Sequence, residues 1–320
     1  MNLRISILMS VFNETEQFIH EAVESILSQT LKDFELIVVN DNPDRTNIKQ
    51  LFDAYQDSRI RFFQNKKNMG LAMCMNKAAA EAWGDILVRM DADDISEQDR
   101  LAVEYELLES SNCDFVFSAY SCIDETSSPL NHIDSIKTDI TGDVLSRIVA
   151  LNPTIIHHPT VMMRRSVFEA AGGYRDFPCA QDADLWLRLQ EQGCRFYRSS
   201  RPLLRYRVNA QSVSRRKWFL QRLTWYYIFN LGMERLATGT DSFSPKHYQQ
   251  YLQKYGLGNA KAESQLRRGY NLLGRARSCG RIKATFLRLA AFASHPLLRQ
   301  YYIQKFKKES MLKRSAGIKA

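Results

Sequence analysis

The first hundred residues alternate between dense apolar runs and segments with helical spacing. The runs have the composition of buried strands and end in polar residues: "RISILMSVF", "FELIVVND", "RIRFFQN" and "GDILVRMDADD". Between them, apolar residues recur three and four positions apart in "ETEQFIHEAVESILSQT", "IKQLFDAYQ" and "LAMCMNKAAAEAW", which predicts helices. Strands that alternate with helices are typical of an α/β domain, so we expect a mostly parallel sheet.

Polar clusters follow each of these four predicted strands. They are Ser10–Glu14, Asn40–Asp44, Asn65–Gly70 and Asp91–Asp94. In open α/β sheets, ligands bind in the crevice outside the carboxyl ends of the strands. We therefore expect acidic and amide side chains from several strand ends to line one ligand-binding crevice.

The remainder of the chain is organised differently. The segments "DRLAVEYELLESS" and "CDFVFSAYSCID" predict a helix and a strand, residues 124–143 predict a polar loop near the site, and "TVMMRRSVF" predicts a further strand. After Arg205 the pattern becomes helical, basic and aromatic. We predict two domains, an α/β domain over 1–215 and a helical basic region over 216–320.

Charge is divided unevenly along the 320 residues. Lys and Arg number 19 against 31 Asp and Glu in residues 1–200, and 25 against 4 in residues 201–320. This division indicates an acidic module followed by a segment that meets anionic surfaces or substrates. The six cysteines form no CxxC pair, which favours a reducing compartment over a zinc knuckle or a disulfide scaffold. We find no signal peptide and no apolar window long enough to span a bilayer, so we expect a cytoplasmic protein.

Three carboxylates occur within four residues in "DADD" (Asp91, Asp93 and Asp94). Like charges this close repel, so the cluster needs a cation, a neighbouring base such as Arg89, or water. Hard divalent cations prefer carboxylate oxygens, which makes a metal site one interpretation. The alternative is a solvated acidic turn in which Asp94 caps the following helix.

Four segments in order resemble the family 2 glycosyltransferases, which have the GT-A fold, a Rossmann-like mixed sheet flanked by helices. They are "ISILMSVFNE", "FELIVVNDNPDRT", "NMGLAMCMNKAAAEAWGDILVRMDADD" and "HHPTVMMRRSVFEAAGGYRDFPCAQDADLWLRL", and the resemblance covers roughly residues 3–215. It implies an inverting transferase that moves a sugar from a nucleoside-diphosphate sugar to a hydroxyl of a glycan, with UDP as the favoured nucleotide. It further implies a lipid-linked acceptor in the synthesis of a bacterial surface polysaccharide.

The resemblance also assigns the donor site. Asp93 is expected to bind Mn²⁺ or Mg²⁺, and Asp91 to meet the ribose or a metal-bound water. Asn40 and Asp41 stand where the family usually has two aspartates, one of which hydrogen-bonds the base, so Asn40 is a departure. The other residues expected to bind the nucleotide sugar are Ser10, Val11, Glu14, Asn68, Gly70, Leu71 and Ala92. Turn chemistry and ordinary loop packing are the alternatives for these positions.

The acceptor side of the resemblance centres on "CAQDADLWLRL". Asp182 takes the position of the catalytic base, which must accept the proton of the attacking hydroxyl. Gln181 is a departure from the usual Glu, and Asp184 is the competing candidate for the base. In the alternative, both aspartates only stabilise the start of the next helix.

Other acceptor-side candidates are weaker matches. His158, Gly173, Tyr174 and Gln181 are expected to contact the acceptor, with a structural role as the alternative for His158. Arg215 and Arg216 are candidate diphosphate partners or simply basic surface, and Asn209 stands where a His is common.

The basic tail 217–320 carries many aromatic residues. Amphipathic basic helices with aromatic groups suit an anionic membrane surface, so we expect peripheral association with the inner face of the cell membrane. The alternatives are packing on the α/β domain or on a second copy of the chain. The tail has no nucleic-acid-binding motif.

Two rival functions follow from the same residues. A sugar-phosphate nucleotidyltransferase would need a Gly-rich loop with a Lys near the N-terminus, which "ILMSVFNETEQ" lacks. A non-catalytic glycan- or membrane-binding scaffold would explain the departures at Asn40 and Gln181, whereas Asp91, Asp93 and Asp182 favour an enzyme.

Overall fold

The strands and helices predicted in the first hundred residues are present in a computed structural model, which describes residues 5–133, 136–208 and 217–315. The chain forms two compact units, Met1–Ser212 and Val213–Ala320. The strands of the first unit are β1 (Ile5–Val11), β2 (Phe34–Asn40), β3 (Ile60–Gln64), β4 (Ile86–Asp91), β5 (Ile95–Ser96), β6 (Phe115–Ile123), β7 (Pro129–Ile133), β8 (Ile140–Thr141), β9 (Val161–Arg164) and β10 (Phe196–Arg207). Its helices are α1 (Glu16–Leu27), α2 (Ile48–Asp53), α3 (Leu71–Glu81), α4 (Arg100–Ser110), α5 (Gly142–Leu151), α6 (Arg165–Ala170) and α7 (Gln181–Glu191).

These strands form one mixed sheet in the order β3-β2-β1-β4-β9-β6-β10-β5, with β7 beside β6 and β8 beside β10. The β3-β2-β1-β4 half is parallel, as the alternation of strands and helices predicts. Antiparallel pairing enters where β9 lies between β4 and β6. The parallel half therefore presents the carboxyl ends of its four strands at one edge of the sheet.

Two hydrophobic cores enclose the sheet, one on each face. In β2, Leu36 and Val38 pack with α1 and α4 on one face, while Ile37 and Val39 pack with α3, α5 and α7 on the other. A strand buried on both faces must be apolar at every position, which explains the unbroken run in "FELIVVN". The result is a three-layer α/β unit whose strand ends remain available for a site.

Three predicted elements differ from the structure. The polar loop over 124–143 contains β7 and β8, which are strands because they pair with β6 and β10 and not because they are apolar. The segment "TVMMRRSVF" is not one strand, since β9 ends at Arg164 and α6 begins at Arg165. The helical pattern expected after Arg205 does not begin there, since Tyr206 and Arg207 are the last residues of β10.

The second unit is helical. It contains α8 (Trp218–Thr238), α9 (Pro245–Lys254), α10 (Ala260–Arg277), α11 (Arg281–Ser294) and α12 (Pro296–Ser315). Most of the aromatic side chains of α8 are buried within this unit: Phe219, Trp225, Tyr226, Tyr227 and Phe229. Across the described residues, no helix is both long enough and apolar enough to cross a bilayer.

Candidate functional site

The register of the parallel strands brings three polar strand ends together. Ser10 of β1 is opposite Asp91 of β4, and Val11 is opposite Asn40 of β2. The backbone N–H of Asp41 donates to the carbonyl oxygen of Val11 at 2.8 Å. The crevice predicted at the carboxyl edge of the sheet is therefore built by neighbouring strands.

The acidic cluster, defined as Asp91, Asp93 and Asp94, begins at the last residue of β4. Each residue offers a carboxylate oxygen, and these atoms lie within 4.8 Å of one another. Burial raises the pKa of Asp93 to about 7, with the charges of Asp91 and Glu14 adding to the effect. Burial and the two neighbouring aspartates also raise the pKa of Asp94 well above its ordinary value.

The donor set of this cluster fits a hard divalent cation. Three carboxylates supply oxygen ligands of the kind that Mg²⁺ and Mn²⁺ accept. Asp94 is fully buried, and within the described part of the chain its Oδ2 atom has no hydrogen-bond partner. A buried carboxylate oxygen without a donor is costly, and a bound cation would remove that cost together with the mutual repulsion of the cluster.

Arg207, which sequence analysis did not single out, supports the turn that carries the cluster. Its backbone N–H donates to Asp94 Oδ1 at 2.8 Å, and its Nε donates to the carbonyl oxygen of Asp93 at 2.7 Å. The same buried guanidinium pairs with Glu21 at 2.5 Å and donates to the carbonyl oxygen of Asp124 at 3.0 Å. One side chain from the end of β10 therefore fixes the backbone of the acidic turn to α1 and to the end of β6.

Asp41 organises the turn before α3 through both of its carboxylate oxygens. Its Oδ1 accepts from Asn65 Nδ2 and from the backbone N–H of Met69, and its Oδ2 accepts from the N–H of Gly70, all at 2.8 Å. Gly70 has φ +81°, a conformation that glycine adopts without strain. Asn68 supports the same turn, with its Oδ1 accepting from the N–H of Gly70 at 3.1 Å.

Asn40 is likewise occupied within the protein. It is fully buried, and its Nδ2 donates to the carbonyl oxygens of Asn42 and Arg45 at 3.2 Å and to Gln64 Oε1 at 2.8 Å. An amide has two N–H donors and a carbonyl oxygen, and here both ends serve the loop after β2. The replacement of the family's aspartate by Asn40 is thus matched to a loop that offers acceptors.

The remaining donor-side candidates differ in their exposure to solvent. Glu14 accepts from the backbone N–H of Phe12 at 2.7 Å, and burial together with Asp91 raises the pKa of its carboxyl. Ser10 is half-buried, and Leu71 is exposed at the start of α3. Val11 and Ala92 are buried, so neither residue is open to solvent in this structure.

Asp182 and Asp184 lie in the first turn of α7 but have different surroundings. Asp184 is fully buried, and its Oδ2 accepts from Arg188 Nε at 2.9 Å and Nη2 at 2.8 Å. Nη2 of Arg188 also donates to the carbonyl oxygen of Gly173 at 2.8 Å. Asp184 is therefore part of an ion pair that fixes α7 to the preceding turn, whereas Asp182 is half-buried and retains access to solvent.

The charge of Arg89 acts on both the acidic cluster and Asp182. The guanidinium of this buried β4 residue forms an ion pair with Asp91. Burial raises the pKa of Asp182, backbone N–H groups at the start of α7 oppose the shift, and the charges of Arg89 and Asp91 act on it in opposite directions. Asp182 therefore lies within electrostatic reach of both members of the Arg89–Asp91 pair.

Gly173 and Tyr174 are held by Asn76 of α3. The Oδ1 of Asn76 accepts from the backbone N–H of Tyr174, and its Nδ2 donates to the carbonyl oxygen of Tyr174, both at 2.8 Å. Gly173 has φ +66°, and a Cβ there would lie 2.7 Å from Asn76 Oδ1. The absence of a side chain at Gly173 therefore makes room for the Asn76 side chain.

His158 and Tyr174 form a hydrogen-bonded pair in which Tyr174 is buried and His158 is half-buried. His158 Nε2 lies 2.8 Å from the Tyr174 hydroxyl, and the Tyr174 ring packs against Trp186 and Phe168. Burial, assisted by Arg89, lowers the pKa of His158 well below its usual value, so this ring is neutral at neutral pH. Gln181 is also buried. Asn209, Arg215 and Arg216 lie outside the described residues.

Solved structures with the same architecture identify the fold. S. aureus TarS 1-349 in complex with UDP matches with a TM-score of 0.62 at 16% sequence identity, covering 98% of this chain and 91% of that chain. TarS 1-349 in complex with UDP-GlcNAc matches with a TM-score of 0.62 at 15% identity, covering 99% and 93%. This chain spans 55% of a longer TarS structure. The fold is therefore the GT-A glycosyltransferase fold, as the sequence predicts.

The family follows from the sequence comparison. The family model for Glycosyl transferase family 2 matches residues 6–172, and the chain belongs to this family. An uncharacterized glycosyltransferase of Methanocaldococcus jannaschii is 30% identical over 226 residues, which is 70% of this chain and 77% of that protein. The putative glycosyltransferase EpsE of Bacillus subtilis is 31% identical over 220 residues (67% and 77%), and the putative teichuronic acid biosynthesis glycosyltransferase TuaG of the same organism is 30% identical over 227 residues (69% and 86%).

Proposed function

We propose that this family 2 glycosyltransferase moves a sugar from a UDP-sugar to a hydroxyl group of a growing glycan, with inversion at the anomeric carbon. The observation that carries the proposal is the Arg89-linked arrangement of two acidic groups. The acidic cluster suits a cation and a diphosphate, and Asp182 lies within electrostatic reach of it while keeping access to solvent.

Asp182 is the proposed catalytic base. Its carboxylate accepts the proton of the acceptor hydroxyl while the acceptor oxygen forms a bond to the anomeric carbon. The bond from that carbon to the donor phosphate oxygen breaks, and the diphosphate leaves with the electron pair. A raised pKa strengthens Asp182 as a proton acceptor, and the charge of Arg89 limits that rise.

Asp93 and Asp91 would hold the divalent cation, Mn²⁺ or Mg²⁺, with Asp94 completing or supporting the set. Such a cation supplies Lewis-acid stabilisation of the negative charge that grows on the leaving diphosphate. Arg207 keeps the acidic turn in one conformation, and Asp41 holds the Asn68–Gly70 turn beside the nucleotide. Glu14 and Ser10 would line the other side of the nucleotide.

The donor and acceptor classes rest on the relatives. TarS has been solved in complex with UDP and UDP-GlcNAc, which supports a uridine nucleotide here. TuaG is named for teichuronic acid biosynthesis, and a 27% identical Escherichia coli relative is named as the O-antigen biosynthesis glycosyltransferase WbnJ. We accordingly place the acceptor among lipid-linked surface glycans that are assembled on the cytoplasmic side of the membrane.

The test of this function is nucleotide release from a panel of UDP-sugars with a glycan acceptor. Release should require Mn²⁺ or Mg²⁺ in the wild type and fall to background in Asp93→Ala. Asp99→Ala, which removes an acidic residue outside the cluster, is the matched control and should retain turnover. Release that is unaffected by chelation and by Asp93→Ala would refute the assignment of the donor site, and no release from any donor would favour the non-catalytic scaffold.

A further inference from the structure

Helix α11 (Arg281–Ser294) presents three large apolar side chains to solvent, while Leu287 and Phe292 are half-buried. Ile282, Phe286 and Leu289 are 79%, 69% and 59% exposed, while Ala284 and Ala291 are buried. The spacing of four and then three residues places the exposed side chains on one face of the helix. In a helix that only packs on its own unit, the larger apolar residues would be expected to face inward.

The side of α11 that faces α10 is closely packed near Ala291 and Ser294. A Cβ on Gly269 of α10 would lie 2.4 Å from Ser294 Oγ and 3.3 Å from the carbonyl oxygen of Ala291. Small residues on both helices therefore allow close packing between α10 and α11. The alanine side of α11 is thus the buried side, and Ile282, Phe286 and Leu289 lie on the exposed side.

Basic side chains border the exposed apolar face. Lys283 and Arg288 are both exposed, and the α11 sequence "RIKATFLRLAAFAS" contains no Asp or Glu. Residues 213–320 contain 22 Lys and Arg against 4 Asp and Glu. Phe306 of α12 is also exposed, at 73%.

We propose that this surface, the α11 face formed by Ile282, Lys283, Phe286, Arg288 and Leu289, binds an anionic phospholipid bilayer. The apolar side chains would enter the boundary between headgroups and acyl chains, and the two basic side chains would meet lipid phosphates. An apolar stripe bordered by basic residues is the pattern of helices that lie in the membrane interface, and anionic lipid attracts each nearby base.

Charge complementarity favours a bilayer over the other partners. In a two-fold contact between copies, the same surface meets itself, so Lys283 and Arg288 would face their counterparts without an acidic residue on α11 to pair with. A nucleic-acid surface would use the charges, but it gives no reason to expose Ile282, Phe286 and Leu289, since such interfaces are polar. An anionic bilayer uses both features.

This location differs from the one that the aromatic composition of the tail predicts. The aromatic residues of α8 named above are buried within the second unit, so packing explains them. The membrane surface is assigned instead to aliphatic and aromatic residues that have no packing role. The proposal does not depend on the glycosyl-transfer chemistry, because the α11 face belongs to the second unit.

The test is co-sedimentation of the full-length protein with vesicles of phosphatidylglycerol and phosphatidylcholine, compared with vesicles of phosphatidylcholine alone. Wild type should bind the anionic vesicles more tightly. Ile282→Ser with Phe286→Ser should weaken that binding by at least about tenfold, because two large apolar side chains no longer enter the interface. Lys283→Gln and Arg288→Gln should each weaken it about fivefold.

The matched control is Val144→Ser, which changes a 63% exposed apolar residue of α5 in the first unit and should bind like wild type. Circular dichroism should show unchanged helix content and melting for the serine variants, and Leu289→Ser provides an independent change on the same face. Vesicle binding that is equal in wild type and the serine variants would overturn the proposal. Sedimentation velocity that shows a dimer lost in Phe286→Ser, without loss of vesicle binding, would assign the face to a second copy instead.

Discussion

Asp182→Asn should abolish sugar transfer while leaving the fold and nucleotide binding intact. The amide is nearly the same size as the carboxyl and can still accept from the backbone N–H groups at the start of α7, but it cannot take the acceptor proton. A positioned general base contributes about 10²- to 10⁴-fold, which corresponds to about 2.7–5.4 kcal/mol of transition-state stabilisation. We expect kcat to fall by that factor at saturating donor and cation.

The neighbouring Asp184→Asn is the matched comparison, since it makes the same chemical change two residues away. It leaves Arg188 buried without its carboxylate partner, and removing one member of a buried ion pair costs about 3–5 kcal/mol of stability. Asp184→Asn should therefore unfold at lower urea concentration, whereas Asp182→Asn should unfold like wild type. Steady-state release of UDP and urea unfolding, measured on both variants, separate the two roles.

The pH dependence of kcat provides a second test of Asp182 as the base. Because burial raises the pKa of Asp182, its carboxylate is lost at a higher pH than an exposed aspartate would be. The wild-type kcat, measured with saturating Mn²⁺, should fall as the pH decreases through that raised pKa. Full activity of Asp182→Asn, or loss of activity in Asp184→Asn with unchanged stability, would refute the assignment of the base and transfer it to Asp184.

Three further substitutions test the supporting structure. Arg207→Lys keeps the charge but loses the geometry that holds the acidic turn, so Mn²⁺ affinity measured by calorimetry should fall about 10- to 100-fold. Arg205→Lys changes an exposed residue and should bind Mn²⁺ like wild type. Equal Mn²⁺ affinities in the two variants would contradict the positioning role of Arg207. Glu104→Gln leaves the fully buried Arg100 without its carboxylate and should cost about 3 kcal/mol or more in urea unfolding, against less than about 0.5 kcal/mol for exposed Glu106→Gln. Gly173→Ala should lower the free energy of unfolding by about 2 kcal/mol, because of the positive φ and the contact of the added Cβ with Asn76. Gly172→Ala should cost less, since no atom of the described residues lies within 4 Å of a Cβ added there. Equal unfolding midpoints for the two variants would refute the contact.

Local sequence pattern is sufficient for the sheet and for the position of the acidic cluster. The apolar runs of β1, β2 and β4 are buried on both faces, so their composition is set by the fold itself. The carboxylates follow β4 directly, and parallel pairing places them beside the ends of β1 and β2. The departure of "PLNHI" from the predicted loop shows where this reasoning ends, because β7 is defined by its partner β6.

The supporting contacts of the site cannot be derived from pattern alone. Arg207 reaches Asp93 and Asp94 from a strand that is distant in sequence, and Asn76 reaches Tyr174 in the same way. Hydrogen bonding also decides which polar residues remain available, since Asp41 is occupied by the turn before α3. The Asp184–Arg188 pair is the exception, because a spacing of four residues in a helix is a readable signal.

The pattern along α11 illustrates the same limit in the second unit. Its apolar residues have helical spacing in the sequence, which predicts an amphipathic helix but does not show which side chains face inward. Close packing against Gly269 selects the alanine side for the interior, and this leaves Phe286 exposed. Only the packing of α10 on α11 shows which apolar side chains of α11 are exposed and which face the core.

The most direct test of the central claim is the effect of Mn²⁺ on UDP affinity in wild type, Asp93→Ala and Asp182→Asn, measured by calorimetry. If the acidic cluster holds the cation and diphosphate while Asp182 serves the acceptor, Mn²⁺ should raise UDP affinity at least about tenfold in wild type and Asp182→Asn, and have no effect in Asp93→Ala. UDP affinity that is independent of Mn²⁺ in all three proteins, or a response that survives in Asp93→Ala, would contradict the account.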